Sequence, residues 1–257
     1  MLSVHNGFGA FDNHHNFQDS TTNNIRNKNY VLSYLQYPSQ INLLNLSYKN
    51  FDFRLLNYGL FEDKIGNNLN NSFYSYEYLI KYQFYKKILE IANLNISFGG
   101  IYSKIESYTS SALVTDIKCY THLKQSKINF ALLIKNLGII LDSYTTYYQK
   151  LPFAIQFSLL KYMNQPQIYV GYDVIHNYNT KNLEHIISLQ ASINKFIKLR
   201  FSTTNYRNNL MVAHSNKDLF YGFAFGIAIE TEKQSLIDIG ISSLGAAGYV
   251  YGLTINF

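Results

Sequence analysis

The sequence predicts an all-β fold: an antiparallel transmembrane β-barrel of about fourteen strands, preceded by a short irregular N-terminal arm. Three observations point there. Apolar and polar residues alternate with a period of two through most of the chain, as in strands with one apolar face. Many alternating segments run to about ten residues or more, the length of a tilted crossing of the hydrocarbon layer, where strands of soluble sandwiches and lipocalin-like barrels usually run to five or six. No stretch approaches the roughly 18 uninterrupted apolar residues of a spanning helix, so any spanning is left to strands.

Composition leads the same way. Of 257 residues, 47% are hydrophobic, 16% aromatic and only 15% charged, against roughly 25% charged in an average soluble domain. Tyr (24) and Phe (18) are abundant and Trp is absent, so something other than a charged surface meets the surroundings. The length suits one barrel and requires no second domain. A formal charge of +6 would suit an acidic partner, but the basic residues are scattered singly, so the charge reads as an ordinary solvated distribution and no nucleic-acid partner is expected. The single cysteine, Cys119, excludes an internal disulfide framework and a multi-cysteine metal site.

Residues 1–28 are polar and irregular and read as an arm or reduced plug, with residues 29–257 as the barrel. The N-terminus has no basic start, apolar core or small-residue cleavage site, so it does not read as a secretory signal. The clearest strand covers 73–85. Tyr74, Tyr76, Tyr78, Ile80, Tyr82 and Phe84 share one face, Ser75, Glu77, Lys81 and Gln83 the other, and Leu79 breaks the rule. The pattern returns at 127–135, where Ile128, Phe130, Leu132 and Ile134 oppose Lys127, Asn129 and Lys135, and at 153–159, where Phe153, Ile155, Phe157 and Leu159 oppose Ala154, Gln156 and Ser158. Further segments lie at 93–102 (Leu94, Ile96, Phe98, Tyr102), 196–202 (Ile197, Leu199 and Phe201 against Lys198 and Arg200) and 219–229 (Tyr221, Phe223, Phe225, Ile227 and Ile229 against Gly222, Ala224, Gly226 and Ala228). Weaker candidates lie at 30–37, 41–48, 51–60, 112–122, 167–175, 185–193 and 235–242. At the C-terminus, Tyr249, Tyr251, Leu253, Ile255 and Phe257 form an apolar row opposed by Val250, Gly252, Thr254 and Asn256. A last strand ending on an aromatic carboxylate resembles the signal recognised by outer-membrane assembly machinery.

Short connectors such as Tyr48-Lys49-Asn50, Tyr85-Lys86-Lys87 and Asn194-Lys195 alternate with longer ones at 61–71, 138–150 and 203–218, as in a barrel with tight turns at one rim and long loops at the other. The long segments are candidates for partner contact, since recognition sits on loops held by a rigid scaffold. Pro152 and Pro166 stand at strand starts, where a missing N–H removes no ladder bond.

No catalytic, cofactor-binding or metal-ligating residue is assigned. His14-His15, with Asp12 and Asp19 nearby, lacks a further ligand at helical or strand spacing and reads as part of a polar arm. Asp116, Lys118 and His122 share one strand face, and Glu77 and Lys81 another. Ion pairing within the barrel interior is the ordinary reading of both. Gly99-Gly100 falls inside a strand and marks a bend or a close approach rather than a phosphate loop. Nucleotide-binding glycine loops, nucleophile elbows and zinc-protease signatures are all absent from the sequence.

Several local motifs resemble, in order and spacing, those of the PorQ family of the type IX secretion system, relatives of PorV and of the FadL-like outer-membrane barrels. They are Asn57-Tyr58-Gly59 with Asp63, Gly66-Asn67 and Ser72-Phe73; Ile101-Tyr102-Ser103-Lys104-Ile105-Glu106-Ser107-Tyr108 with Ser110, Ala112 and Asp116; then Lys135-Asn136-Leu137-Gly138, Leu151-Pro152-Phe153 and Leu160-Lys161. The resemblance covers roughly residues 30–257 and departs at the N-terminus, where the family's Ala/Gly-rich opening and Asn-Pro-Ala-Leu helix are missing. It implies a FadL-like barrel in a bacterial outer membrane that anchors a cell-surface attachment complex and is not itself the catalyst. The implied partners are PorU-, PorV- and PorZ-like proteins, outer-membrane lipid and anionic lipopolysaccharide. A FadL-like transporter of hydrophobic small molecules is the alternative and would need an apolar lumen pocket. A reduced relic that keeps the barrel without its partners is a third reading.

Overall fold

The computed structural model describes residues 30–65, 68–88, 92–123, 125–145, 150–164, 167–205, 221–231 and 235–257. The predicted arm at 1–28 therefore lies outside the described residues. Fourteen strands follow in order: β1 (Tyr30–Gln36), β2 (Asn42–Tyr48), β3 (Phe51–Ile65), β4 (Asn68–Lys87), β5 (Ala92–Ile105), β6 (Tyr108–Leu123), β7 (Ile128–Asp142), β8 (Ala154–Met163), β9 (Ile168–Asn177), β10 (Asn182–Ser192), β11 (Ile197–Thr204), β12 (Phe223–Glu230), β13 (Leu236–Ser243) and β14 (Tyr249–Asn256). Each pairs antiparallel with its sequence neighbours, and β1 pairs with β14 to close the barrel. The closing ladder runs from Val31↔Asn256 to Gln36↔Tyr251, and the Phe257 N–H adds a bond of 3.0 Å to the Tyr30 carbonyl. Closure is what a membrane-spanning sheet requires, because an open edge in lipid would leave backbone groups unpaired.

The two faces are inverted relative to a soluble barrel. Ser75, Glu77, Lys81, Ser97, Gln156, Ser158, Asp173, Ser188, Gln190, Arg200, Ser202, Asp238 and Thr254 are buried on the inner face, while Ile80, Phe84, Phe98, Leu132, Phe157, Ile187, Phe225, Ile239, Tyr251 and Leu253 are exposed on the outer one. On β4 the outer row runs from Tyr74 to Phe84. At about 3.3 Å per residue and a tilt of about 40° it spans about 25 Å, the height of the apolar band of an outer-membrane barrel. Aromatic rings girdle the end where β1 begins and β14 ends: Tyr30 stacks on Tyr48 at 4.3 Å, Phe51 meets Tyr82 edge-on at 4.8 Å, and Phe84 meets Tyr82 at 4.7 Å and Phe98 at 6.0 Å. Leu79, the exception in the sequence pattern, keeps its parity and is buried inside at 4% exposure.

Turns and bulges account for the residues with left-handed backbone. Ser39, Gln40, Lys49, Glu106, Lys127 and Lys181 lie in hairpin connections, and Asn136 lies at a bulge. Asn194 closes the predicted β10–β11 turn by accepting the Phe196 and Ile197 N–H groups at 2.8 and 2.7 Å.

Four expectations change. The predicted loop 61–71 is mostly strand: β3 continues to Ile65 and β4 starts at Asn68. The predicted loop 138–150 is strand as far as Asp142, with 146–149 outside the described residues. Of 203–218, Thr203 and Thr204 end β11 and 206–218 lie outside them. Tyr85-Lys86-Lys87 is the end of β4 rather than a connector. In the second the cause is the bulge at Asn136, which moves the outer row from even positions (Ile128 to Ile134) to odd ones (Leu137 to Leu141) and so breaks the period of two. Tyr221 also leaves its predicted outer row. It lies in the turn before β12, at 2% exposure, with its ring against Gly245. Pro166 lies outside the described residues, and Pro152 stands two residues before β8.

The wall is uneven in height. β3–β7 have 15, 20, 14, 16 and 15 residues, whereas β11–β14 have 8 each. At the tilt used above, eight residues climb about 20 Å and twenty about 50 Å. The short turn after β2 and the β4–β5 and β6–β7 connections lie at the end that holds β1's start and β14's end. The surplus of β3–β7 therefore rises at the other end, as a five-stranded palisade above the rest of the rim.

Candidate functional site

Two features could carry function: the charged groups of the inner wall, and the palisade. The inner wall is built around two clasps of the same design. In the first, Lys81 on β4 forms an ion pair with Asp116 on β6, two strands away. Lys81 is in register with Gly99 of the intervening strand, and a Cβ on Gly99 would stand 2.6 Å from Lys81 Cγ and 2.1 Å from the Ile80 carbonyl oxygen. The missing side chain is what lets the lysine lie across β5. Asp116 faces a bulge where Lys135 and Asn136 of β7 are set against it, and its other oxygen accepts the Asn136 N–H at 2.8 Å. The Asn136 side chain in turn donates to the Pro152 carbonyl at 3.0 Å.

The second clasp joins Arg200 on β11 to Asp238 on β13, both side chains at 0% exposure. Here Gly226 of β12 is the bare position in register with Arg200, and Arg200 Nε also donates to Gln190 Oε1 at 2.9 Å. The spanned strands, β5 and β12, stand half a turn apart in the fourteen-strand ring. Between the clasps, Thr204 donates to Glu184 at 2.9 Å and Gln156 Nε2 donates to Ser158 at 3.0 Å and Asp173 at 3.3 Å. Cations and carboxylates thus interleave around the inner wall, an arrangement that holds neighbouring strands and leaves no wall of one sign.

The two charge clusters read from the sequence are therefore regrouped. Lys81 and Asp116 come together. Glu77 instead accepts the Tyr58 hydroxyl at 2.7 Å, Lys118 lies over the Tyr120 ring at 5.6 Å, and His122 pairs with Asn129. Gly99-Gly100 marks a close approach, as read, but only Gly99 makes it. His14, His15, Asp12 and Asp19 lie outside the described residues. Among those described, no group of three or more His, Cys, Asp or Glu side chains is placed to hold a metal ion. The Arg200–Asp238 pair was not visible in the sequence: its one signal is a lone Arg on a polar strand face followed by a strand of Gly and Ala on the same face.

Three of the sequence motifs fall on the devices that shape the palisade. Asn57-Tyr58-Gly59 is the β3 bulge, with the Gly59 N–H bonded to Asn57 Oδ1 at 2.9 Å. Glu106-Ser107 is the tight β5–β6 turn, and Asn136 is the β7 bulge. Beyond β7 the chain folds inward, and the Tyr144 hydroxyl donates to Ser103 on the inner face of β5. Burial there pushes the Tyr144 phenol above its ordinary pKa.

No protein-family model matches the sequence, and no curated protein matches it. Among solved structures, the chain is similar to the Pseudomonas putida toluene transporter TodX (11% identity, 89% of this chain and 85% of that one, TM-score 0.47). It is also similar to the KdgM porin in complex with disordered oligogalacturonate (8%, 90% and 98%, TM-score 0.44) and to a mutant of the Rh. blastica porin (8%, 89% and 97%, TM-score 0.41). The fold itself, a closed fourteen-stranded antiparallel barrel with an apolar outside, rests on the strand pairing.

Proposed function

We propose that the chain is a non-catalytic barrel of a bacterial outer membrane that anchors a cell-surface attachment complex of type IX secretion. The observation that carries the anchoring role is the palisade. Five strands rise past the rim set by β8–β14 and β1–β2, and where β3 and β4 leave the apolar band exposed apolar side chains continue, Leu60 and Phe61 on β3, with Phe61 stacked on Phe73 of β4 at 5.2 Å. Exposed apolar area above the lipid is characteristic of a contact surface. The inner wall, cross-braced by buried ion pairs, supports a scaffold more than a wide aqueous pore. The assembly is suggested by the PorQ-like motifs, three of which lie on the bulges and turn of this same palisade, and the partners are PorU-, PorV- and PorZ-like proteins with anionic lipopolysaccharide.

The test is a pull-down of the tagged barrel from detergent-solubilised outer membranes, with co-purifying proteins identified by mass spectrometry. Recovery of a sortase-like or lipopolysaccharide-handling protein is expected. A heat-modifiable barrel recovered alone overturns the anchoring role, and recovery from the soluble fraction overturns the membrane reading.

One observation favours transport of hydrophobic small molecules. A groove of about 460 Å³ near the upper rim is lined by Phe201, Phe223, Phe225, Ile241 and Tyr249. It lies on the outer face, however, and the inner side of the same strands carries Arg200, Ser202 and Asp238. A transporter would need the apolar surface inside.

A further inference from the structure

The upper part of β7 has a strand on one side only. Leu137–Asp142 is in register with Ser111–Thr115 of β6, but the β7–β8 ladder ends at Lys135↔Ala154. Among the described residues no strand lies along the other side of Leu137–Asp142. The bulge at Asn136 marks where the two ladders part, and past Asp142 the Tyr144 hydroxyl reaches Ser103 on the inner face of β5. The result is about 20 Å of open edge at 3.3–3.4 Å per residue. Its sequence is Leu-Gly-Ile-Ile-Leu-Asp, with Leu137, Ile139 and Leu141 exposed to 49, 62 and 59%. Such an edge is a template for another strand, and proteins ordinarily blunt it with lysine or proline. Neither stands in Leu137–Asp142.

We propose that the Leu137–Asp142 edge binds an extended apolar segment of a partner protein, which adds to the sheet as a further strand. The inference rests on the anchoring role above and gives one of its contacts a place and a chemistry. The unmet backbone donors and acceptors of β7 ask for a β-strand rather than a helix or a sugar, because only an extended backbone matches their repeat. The new strand continues the β6–β7 ladder, and Leu137, Ile139 and Leu141 select apolar side chains at every second position on its outer face. Size decides against a second copy: so short an edge falls well short of the roughly 800 Å² per partner of a stable protein pair, whereas a short extended segment uses all of it.

The experiment uses the full-length barrel in lipid nanodiscs and a fluorescein-labelled extended peptide of alternating valine and threonine, followed by fluorescence anisotropy. The comparison is the same peptide N-methylated at alternate residues, which removes backbone donors and keeps the side chains. Saturable binding is expected, weakened roughly tenfold or more by N-methylation and to a similar degree by Ile139→Lys with Leu141→Lys in the barrel. Retention of the heat-modifiable gel band shows that the variant is folded. Equal binding of the methylated peptide, or no binding of either, overturns the proposal. So does slow exchange of those amides of 137–142 that point away from β6 in the barrel alone, which would mean that its own chain covers the edge, or a dimer by light scattering, which would mean a second copy does. The pull-down separates the two levels. Partners recovered equally by wild type and the lysine variant overturn the edge and keep the anchor, while partners recovered by neither overturn the anchor with peptide binding unchanged.

Discussion

Lys81 and Asp116 meet across a strand to which neither belongs, the lysine side chain lying over the bare Cα of Gly99. A methyl group at Gly99 would collide with backbone as well as with Lys81. Gly99→Ala is expected to cost roughly 1–3 kcal/mol or more by overpacking. The measurement is the urea midpoint of the barrel in detergent, and an unchanged midpoint would show that β5 has room to yield.

Removing one member of this pair leaves the other charged and partly buried. Lys81→Met is expected to destabilise by about 2–3 kcal/mol, less than the roughly 3–5 kcal/mol of a fully buried pair, because the Asp116 side chain is still 22% exposed. Lys81→Met with Asp116→Leu should recover most of that loss. A double-mutant cycle reads the coupling directly.

The Arg200–Asp238 pair has no exposed atoms to soften the change. Arg200→Met is expected to cost about 3–5 kcal/mol, and adding Asp238→Leu to restore much of it. A double variant no better than the single one would place the loss in packing and in the bond to Gln190 rather than in the orphaned carboxylate.

Cys119 provides a test of which face meets lipid. It lies on the outer face of β6 between Leu94 and Leu132, within the apolar band. A charged maleimide should fail to label it in native membranes and label it fully once the barrel is unfolded in hot detergent, because a charged reagent does not enter the hydrocarbon layer. Rapid labelling of the membrane-embedded protein would put this face in water.

Gly245, in the β13–β14 turn, has φ +64°, and a Cβ there would stand 1.6 Å from the buried Tyr221 ring. Gly245→Ala combines left-handed strain with a clash, about 3 kcal/mol together. The expected sign is a lower melting temperature of the folded gel band, with no change in labelling at Cys119.

Every strand that crosses the apolar band could be read from period two, down to the weak candidates at 41–48 and 235–242, because lipid outside and polar groups inside impose opposite chemistry on alternate residues. Leu79 shows the limit of that rule: the inner wall tolerates an apolar side chain, so a break in alternation was not a break in the strand. The palisade was hidden for the complementary reason. At 61–71 residues such as Asn70 and Asn71 look like loop, and at 138–142 the bulge at Asn136 shifts the apolar row by one and breaks the period. The clasps were out of reach for another reason. Lys81 and Asp116 each stand on a polar strand face, but their meeting depends on two registers and on what stands between them, and Arg200 and Asp238 lie 38 positions apart with only the Gly/Ala face of the strand between to hint at a link.

The spacing of the two clasps has a mechanical consequence. A hoop pinned at both ends of one diameter cannot widen or narrow at those points without breaking a buried ion pair, so any ovalisation of the bore is forced into the quarters between. Those quarters centre on β1–β2 and on β8–β9, and it is there that this barrel must give if its cross-section ever changes.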